Sequence, residues 1–376
     1  MKIGILSMQR VVNYGSFLQA YGLMNTIKSL GHDVEFVDYT VEPVLVQTEH
    51  KKYNKLFEKM KQRCRILKKK YIARRDSKVF EDFQDFRNRY ENEYLPMIGV
   101  THERNITPEL DCLVIGSDEV FNCLQTNENV GYSRELFGAN TKAKKIISYA
   151  GSFGNTTLKG LEKYHIDQEI KNYFDRFDAI SVRDDNSYEI VNKLVDKPIE
   201  KNLDPVLIYN FSEEVSKVEL KHKYDRYIVL YAYTGRINEK EADAIVKFAK
   251  KNDAKVIAIG GTFLFCDECI FPSPFETLKL IQNAMYVITD TFHGSVFSIK
   301  FNKQFCVFVR NGEEKVYGNS QKIVDLLRGF ELEDRIVTEL DTMDNILENK
   351  INYEFVNDRI ANERKHTREY LERVCN

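Results

Sequence analysis

The strongest constraint on this chain is a pattern that recurs along it. A short apolar run is followed by a small polar turn, and after several of these turns by residues at helical spacing. Residues 2–8 run into Asn13-Tyr14-Gly15-Ser16, and then Phe17, Ala20, Tyr21, Met24, Ile27 and Leu30 recur at helical spacing up to Gly31. Residues 110–115 run into Gly116-Ser117-Asp118, residues 144–149 into Ala150-Gly151-Ser152, and residues 179–182 into Arg183-Asp184. Tyr286 to Thr289 lead through Asp290 to Gly294 into a helix that begins at Ser295. Strands that alternate with helices predict an α/β fold with parallel sheets and right-handed crossovers. In such folds ligands bind at the carboxyl ends of the strands, so the polar turns are the candidate site.

A chain of 376 residues is too long for one ordinary core, which predicts two domains. The polar, charged stretch 209–226 is the expected boundary. The expected division is 1–208 as an N-terminal Rossmann-like domain on the acceptor side, with a basic helical insertion at 51–95. Residues 209–345 are expected as a C-terminal Rossmann-like domain on the donor side, and 346–376 as a charged helix packing back on the first domain. The helix over 78–95 is expected to bury Phe80, Phe83, Phe86 and Tyr90.

Composition narrows the function classes. Hydrophobic residues at 43% and charged residues at 30% describe an ordinary globular chain, and a net charge of −2 gives no general attraction to nucleic acid. Seven scattered cysteines fit reduced thiols. Cys266 and Cys269 form a lone CxxC without the further ligands that structural zinc needs, and no carboxylate cluster has metal spacing, so neither metal nor cofactor is expected. The chain opens on a strand and contains no apolar run of about 18 residues, which predicts a cytoplasmic protein. Residues 51–75 hold twelve Lys or Arg against the single acid Glu58. Such a run is either a solvated helical face or a peripheral contact with an anionic membrane or a lipid-linked diphosphate.

Several side chains are candidates for chemistry. His293 stands at a strand-to-helix turn, beside a helix N-terminus whose free N–H groups and dipole suit an anion; Gly294 and Ser295 would supply those N–H groups. The plainer reading is a histidine that caps or packs. Arg183 at a strand terminus suits bidentate binding of phosphate or carboxylate. Ser117, Asp118, Ser152 and Asp204 also lie at carboxyl ends, although Ser and Asp there are commonly caps or turn formers. The Asn13-Tyr14-Gly15-Ser16 loop lacks GxGxxG, which argues against a dinucleotide.

Taken in order, these blocks resemble the polysaccharide pyruvyl transferase family over about residues 1–335. The marks are 13–21, Gly116 to Asn122, Ile147 to Gly154, Ile180 to Arg183, Leu203-Asp204-Pro205 and Thr289 to Gly294. Some members end the last block in Arg-Leu-His; here those positions are Thr291, Phe292 and His293, and Phe121 stands where Trp is common. The resemblance implies two Rossmann-like domains in a GT-B-like arrangement with a cleft between them. It also implies transfer of pyruvate from phosphoenolpyruvate onto two hydroxyls of a hexose, giving a cyclic ketal on a capsular, exopolysaccharide or cell-wall glycan precursor.

Position by position, the resemblance makes His293 catalytic and Arg183 a donor-binding cation. It also expects a lysine some twenty residues beyond the histidine, for which Lys315 is nearest and Arg310 and Lys322 compete. Acceptor contacts would come from Asn13, Tyr14, Gly15, Ser117, Asp118 and Ser152. Two other readings stay open. One is a GT-B glycosyltransferase using a nucleotide sugar; the other is a non-catalytic scaffold in envelope polysaccharide assembly.

Overall fold

The computed structural model describes residues 1–46, 66–310 and 320–375, and of 66–76 and 320 the backbone alone. The first part of the basic run, 51–65, and Lys315 therefore lie outside the described residues. A first parallel sheet contains β1 (Lys2–Leu6), β2 (Asp33–Phe36), β3 (Cys112–Ile115) and β4 (Lys145–Ser148), in the order β2-β1-β3-β4. Single parallel bridges from Ile147 to Ala179 and from Gly151 to Val182 extend it to β5 (Ile180–Val182), which pairs with β6 (Ile199–Lys201). The second parallel sheet contains β7 (Tyr227–Tyr231), β8 (Lys255–Ile259), β9 (Glu268–Ile270), β10 (Tyr286–Thr289) and β11 (Gln304–Val307), in the order β11-β10-β7-β8-β9. Both are doubly wound orders. Strand order reverses between β1 and β3 in the first sheet and between β7 and β10 in the second, and a crevice opens at each such point. The two Rossmann-like halves face one cleft, the GT-B-like arrangement expected.

Local sequence explains the helices that frame the cleft. In α1 (Tyr14–Lys28) the Asn13 side chain caps the first turn by accepting from the Gly15 and Ser16 N–H groups, while Phe17, Ala20, Met24 and Ile27 are buried. Gly31 follows with φ +89°, a conformation that favours glycine. In α2 (Ile66–Arg89), Phe86 is buried, as is Tyr90 in the turn beyond it, but Phe80 is 62% and Phe83 36% exposed. Those two were expected in the core. At about 100° per residue Phe80 lies some 120° around the helix from Phe86, so one buried stripe cannot hold both.

Further along come α3 (Asp185–Leu194), α4 (Glu239–Lys251) and α5 (Pro274–Asn283). Reciprocal caps start the last two, from Asn238 with Glu241 and from Ser273 with Glu276. They are followed by α6 (Phe292–Lys300), α7 (Ser320–Arg328) and α8 (Tyr353–Cys375). The terminal α8 returns to the first sheet: Tyr370 Oη donates to the Ser148 carbonyl at 2.7 Å, and Lys145 Nζ to the Val374 carbonyl at 3.0 Å. No helix among the described residues is long and apolar enough to cross a membrane.

One short turn of helix, Pro205–Ile208, joins the halves. All four of its residues are buried, against α1 from one side and α6 from the other. A Cβ on Gly22 of α1 would come within 3.0 Å of the Pro205 carbonyl oxygen, which shows how close the backbones run. Asp204 caps this turn and Pro205 opens it, a favoured pairing at a helix start.

Candidate active site

The site is assembled where α1 and α6 meet over Asp204. Thr291 caps α6 by accepting from the Gly294 N–H at 2.9 Å, and the Ser295 N–H donates to the Thr291 carbonyl at 3.3 Å. Those two N–H groups are thus engaged within the helix, so Gly294 and Ser295 do not offer the anion donors expected of them. Gly294 has a packing role instead: a Cβ there would lie 2.0 Å from Thr289 Oγ1.

His293 follows the cap and points back toward the first half. Its Nε2 is 3.5 Å from Asp204 Oδ2, within ion-pair reach. The other edge of the ring lies against α1: a Cβ on Gly15 would fall 2.2 Å from His293 Cγ and Nδ1. Glycine at 15 is what lets the imidazole reach Asp204, and 12% of the side chain stays exposed, in the wall of a cavity.

Asp204 is fully buried and anchored twice more. Its Oδ1 accepts from the Val206 N–H at 3.0 Å and its Oδ2 from Arg183 Nη1 at 2.8 Å. Burial alone would raise its pKa. The His293 side chain, the Arg183 charge and the Val206 N–H outweigh burial and hold it below the usual carboxylate value. Arg183, with a side chain only 3% exposed, also stands 3.7 Å from Asp118 Oδ1, and its guanidinium stacks on the Phe292 ring at 4.2 Å. Burial opposes its charge, but Asp204, Asp118 and other carboxylates around it raise its pKa.

The cavity measures about 310 Å³, at the small end of ligand sites. Both crevices contribute. From the first half come Asn13, Ser16, Asp118 and Glu119; from the second come Tyr233, Arg236, Thr291, Phe292, His293 and Lys322. Asp118, at φ +77°, accepts from Ser16 Oγ at 2.9 Å. Asn13 Nδ2 reaches across to Tyr233 Oη at 3.4 Å, and Lys322 Nζ bonds Glu119 across the same gap.

Of the residues singled out in the sequence, His293, Asn13, Asp118 and Lys322 meet at this cavity, and Gly15 backs the imidazole. Arg183 sits behind Phe292 rather than in the wall. Four other expected contacts are placed elsewhere. Tyr14 is buried, with its Oη donating to the Pro272 carbonyl at 3.1 Å. Ser117 and Ser152 are fully buried and bond Ala150 O and Asp184. Arg310 makes a bidentate pair with Glu241, at 2.7 and 3.0 Å.

The cation that sequence reasoning missed is Arg236, in the turn after β7. Its guanidinium stacks on Tyr233 at 4.6 Å and lies 3.8 Å from the buried Asp290, which also accepts from the Tyr233 N–H at 3.2 Å. Burial raises the Asp290 pKa, against the pull of Arg236. The available signal was position alone, a Thr-Gly-Arg turn beyond a strand. Among the described residues no group of three His, Cys, Asp or Glu could hold a metal ion.

Two doubly wound sheets whose switch points share one cavity, with an imidazole beside a buried carboxylate and flanking cations, describe a two-domain α/β protein with its candidate site between the halves. Residues 13–312 match the model of the polysaccharide pyruvyl transferase family, and the chain belongs to that family. No curated protein matches the sequence significantly. Similar solved structures include a UDP-GlcNAc 2-epimerase from Neisseria meningitidis bound to UDP-GlcNAc, with 10% identity, 99% of this chain and 100% of that one covered, and a TM-score of 0.45. The UDP-GlcNAc 2-epimerase of Methanocaldococcus jannaschii has 9% identity, coverage of 94% and 93%, and a TM-score of 0.46. The calicheamicin glycosyltransferase has 13% identity, coverage of 100% and 99%, and a TM-score of 0.42.

Proposed function

We propose that the protein moves the pyruvyl group of phosphoenolpyruvate onto two hydroxyls of a hexose in a polysaccharide precursor, forming a cyclic ketal. The observation that carries this reading is the His293–Asp204 pair opening on a compact cavity flanked by Arg236 and Lys322. Ketal formation needs a proton delivered to C3 of the donor, which becomes the methyl group. C2 then takes the first hydroxyl oxygen, and the second hydroxyl oxygen displaces phosphate. Of the two hydroxyl protons, one balances the proton gained by C3 and the other leaves on phosphate.

An imidazole both gives and takes protons near neutral pH, which suits His293 to the C3 and hydroxyl steps. Asp204 positions the ring, and Arg183 acts at one remove by keeping Asp204 ionised. Arg236 and Lys322 take the donor carboxylate and phosphate, the latter after exchanging Glu119 for the ligand. A cavity of about 310 Å³ favours a donor of this size over a nucleotide sugar. The test is mass spectrometry of hexosides incubated with phosphoenolpyruvate, with phosphate release followed in parallel. His293→Ala is expected to keep its melting temperature and lose at least about 100-fold in rate. Near-normal transfer by the folded variant would remove His293 from the chemistry.

A further inference from the structure

A second cavity, of about 590 Å³, adjoins the first and shares Val11 and Asn127 in its wall. It lies over the carboxyl ends of β1 and β2, and α2 closes its far side with Phe83 and Arg87. We propose that this cavity is the subsite that holds the sugar next to the pyruvylated hexose. The inference rests on the transferase reading only for what occupies the first cavity.

Three features select a sugar. First, the charges balance: Arg10, Arg87 and Arg104 face Asp38, Glu91 and Glu128. A nucleotide diphosphate or a lipid diphosphate would need an excess of cations, whereas hydroxyls, which donate and accept at once, use both signs equally. Second, the polar floor is already built. Arg10 grips Asp38 through two bonds, at 2.5 and 2.7 Å, and Asp38 also accepts from the Asn105 N–H at 3.0 Å. The Arg10 side chain lines the cavity and is 22% exposed, so a ligand meets a guanidinium already fixed by Asp38 and pays little for ordering it. Third, Tyr39 and the part-exposed Phe83 add aromatic faces, which suit the C–H face of a pyranose.

The wall between the cavities is also held. Tyr90 Oη donates to the Gln9 and Val11 carbonyls, at 3.2 and 2.8 Å, which fixes the loop that both cavities share. A chain of sugars lying over that loop would place one unit beside His293 and the next beside Arg10.

The test uses the full chain and tagged gluco-, galacto- and manno-configured glycosides of one, two and three units. Binding is measured by fluorescence polarisation, and mass gain with phosphoenolpyruvate in the same samples. Asn129→Trp fills the second cavity from its exposed rim, and Phe83→Ala removes the aromatic face; melting temperatures confirm folding. In any series that binds, two or three units should bind at least about tenfold tighter than one. Both variants should shrink that advantage and leave monosaccharide binding unchanged. Equal affinity at every length, an advantage that survives both variants, or no glycoside binding at all would overturn the subsite. So would UDP or pyrophosphate binding that Asn129→Trp abolishes. A length advantage without any mass gain would keep the subsite and remove the pyruvyl transfer reading; mass gain without a length advantage would do the reverse.

Discussion

His293 is held by what its neighbours lack as much as by what they offer. Gly15 has no Cβ, and the ring occupies that space. Gly15→Ala should therefore push the imidazole off Asp204, because the new Cβ would start 2.2 Å from two ring atoms. Displacements of about 1 Å at a reacting group cost on the order of 100-fold in rate. The variant should lose that much in kcat and little in melting temperature; equal losses would mean that Gly15 serves the fold alone. The two arginines of the second half should separate in the same way. Arg236→Ala should raise KM for phosphoenolpyruvate by about tenfold or more at unchanged stability, as loss of a charge-assisted contact does. Arg310→Ala should instead lower the melting temperature, since it leaves Glu241 without its bidentate partner in a largely buried site.

His293 was legible in the sequence because a strand-to-helix turn has few places to put an imidazole. Arg236 was not, because Tyr233-Thr234-Gly235-Arg236 is an unremarkable turn until β7 is seen beside β10. The roles of Tyr14, Ser117 and Ser152 were misread for a related reason. A motif shows that residues belong near a site, and only packing tells which of them face it.

At the level of elements, α6 and the short 205–208 helix form one working unit. The first turn of α6 delivers His293, and its last residue, Lys300, reaches under the same turn. Lys300 Nζ bonds the Tyr209 carbonyl, and Arg364 of α8 donates to the Leu207 carbonyl at 3.3 Å. Burial, then the Arg364 charge, push the Lys300 pKa down to about 7. In the unfolded chain a lysine titrates near about 10.4. Between these values the unfolded state binds the extra proton, so stability rises with pH from about 7 toward about 10. Lys300→Met keeps the apolar stem and removes the titration. As pH rises across that window the melting temperature of the natural chain should gain on that of the variant; parallel curves would show that Lys300 is charged in the fold.

The elements themselves were largely readable from apolar runs and helical spacing. The 205–208 turn was not read as helix, because four residues are too short for a period. Its Asp-Pro start was the one signal present. Phe80 shows the opposite error, an apolar residue placed in the core by type when its angular position on α2 puts it outside.

The whole molecule explains why neither half suffices. Each doubly wound sheet opens its own crevice, and the two bring different chemistry to the cavity: the first half supplies Asp118, Glu119 and the amides of Asn13, Gln125 and Asn127, and the second supplies Arg236, His293 and, from α7, Lys322. The sequence order of strands does not state which crevices will face each other, since that depends on how α1, α6 and α8 pack on the 205–208 turn. A donor held between the halves should therefore tie them together. At 100 times its dissociation constant a ligand that binds only the folded state adds about 2.7 kcal/mol. Phosphoenolpyruvate should raise the melting temperature and keep one transition, because Asn13 with Tyr233 and Glu119 with Lys322 already bridge the cleft where it would sit. His293→Ala should keep the shift, and Arg236→Ala should lose most of it. A larger shift with UDP or GDP than with phosphoenolpyruvate would make the cleft a nucleotide-sugar site and overturn the pyruvyl donor while leaving the two-sheet architecture intact.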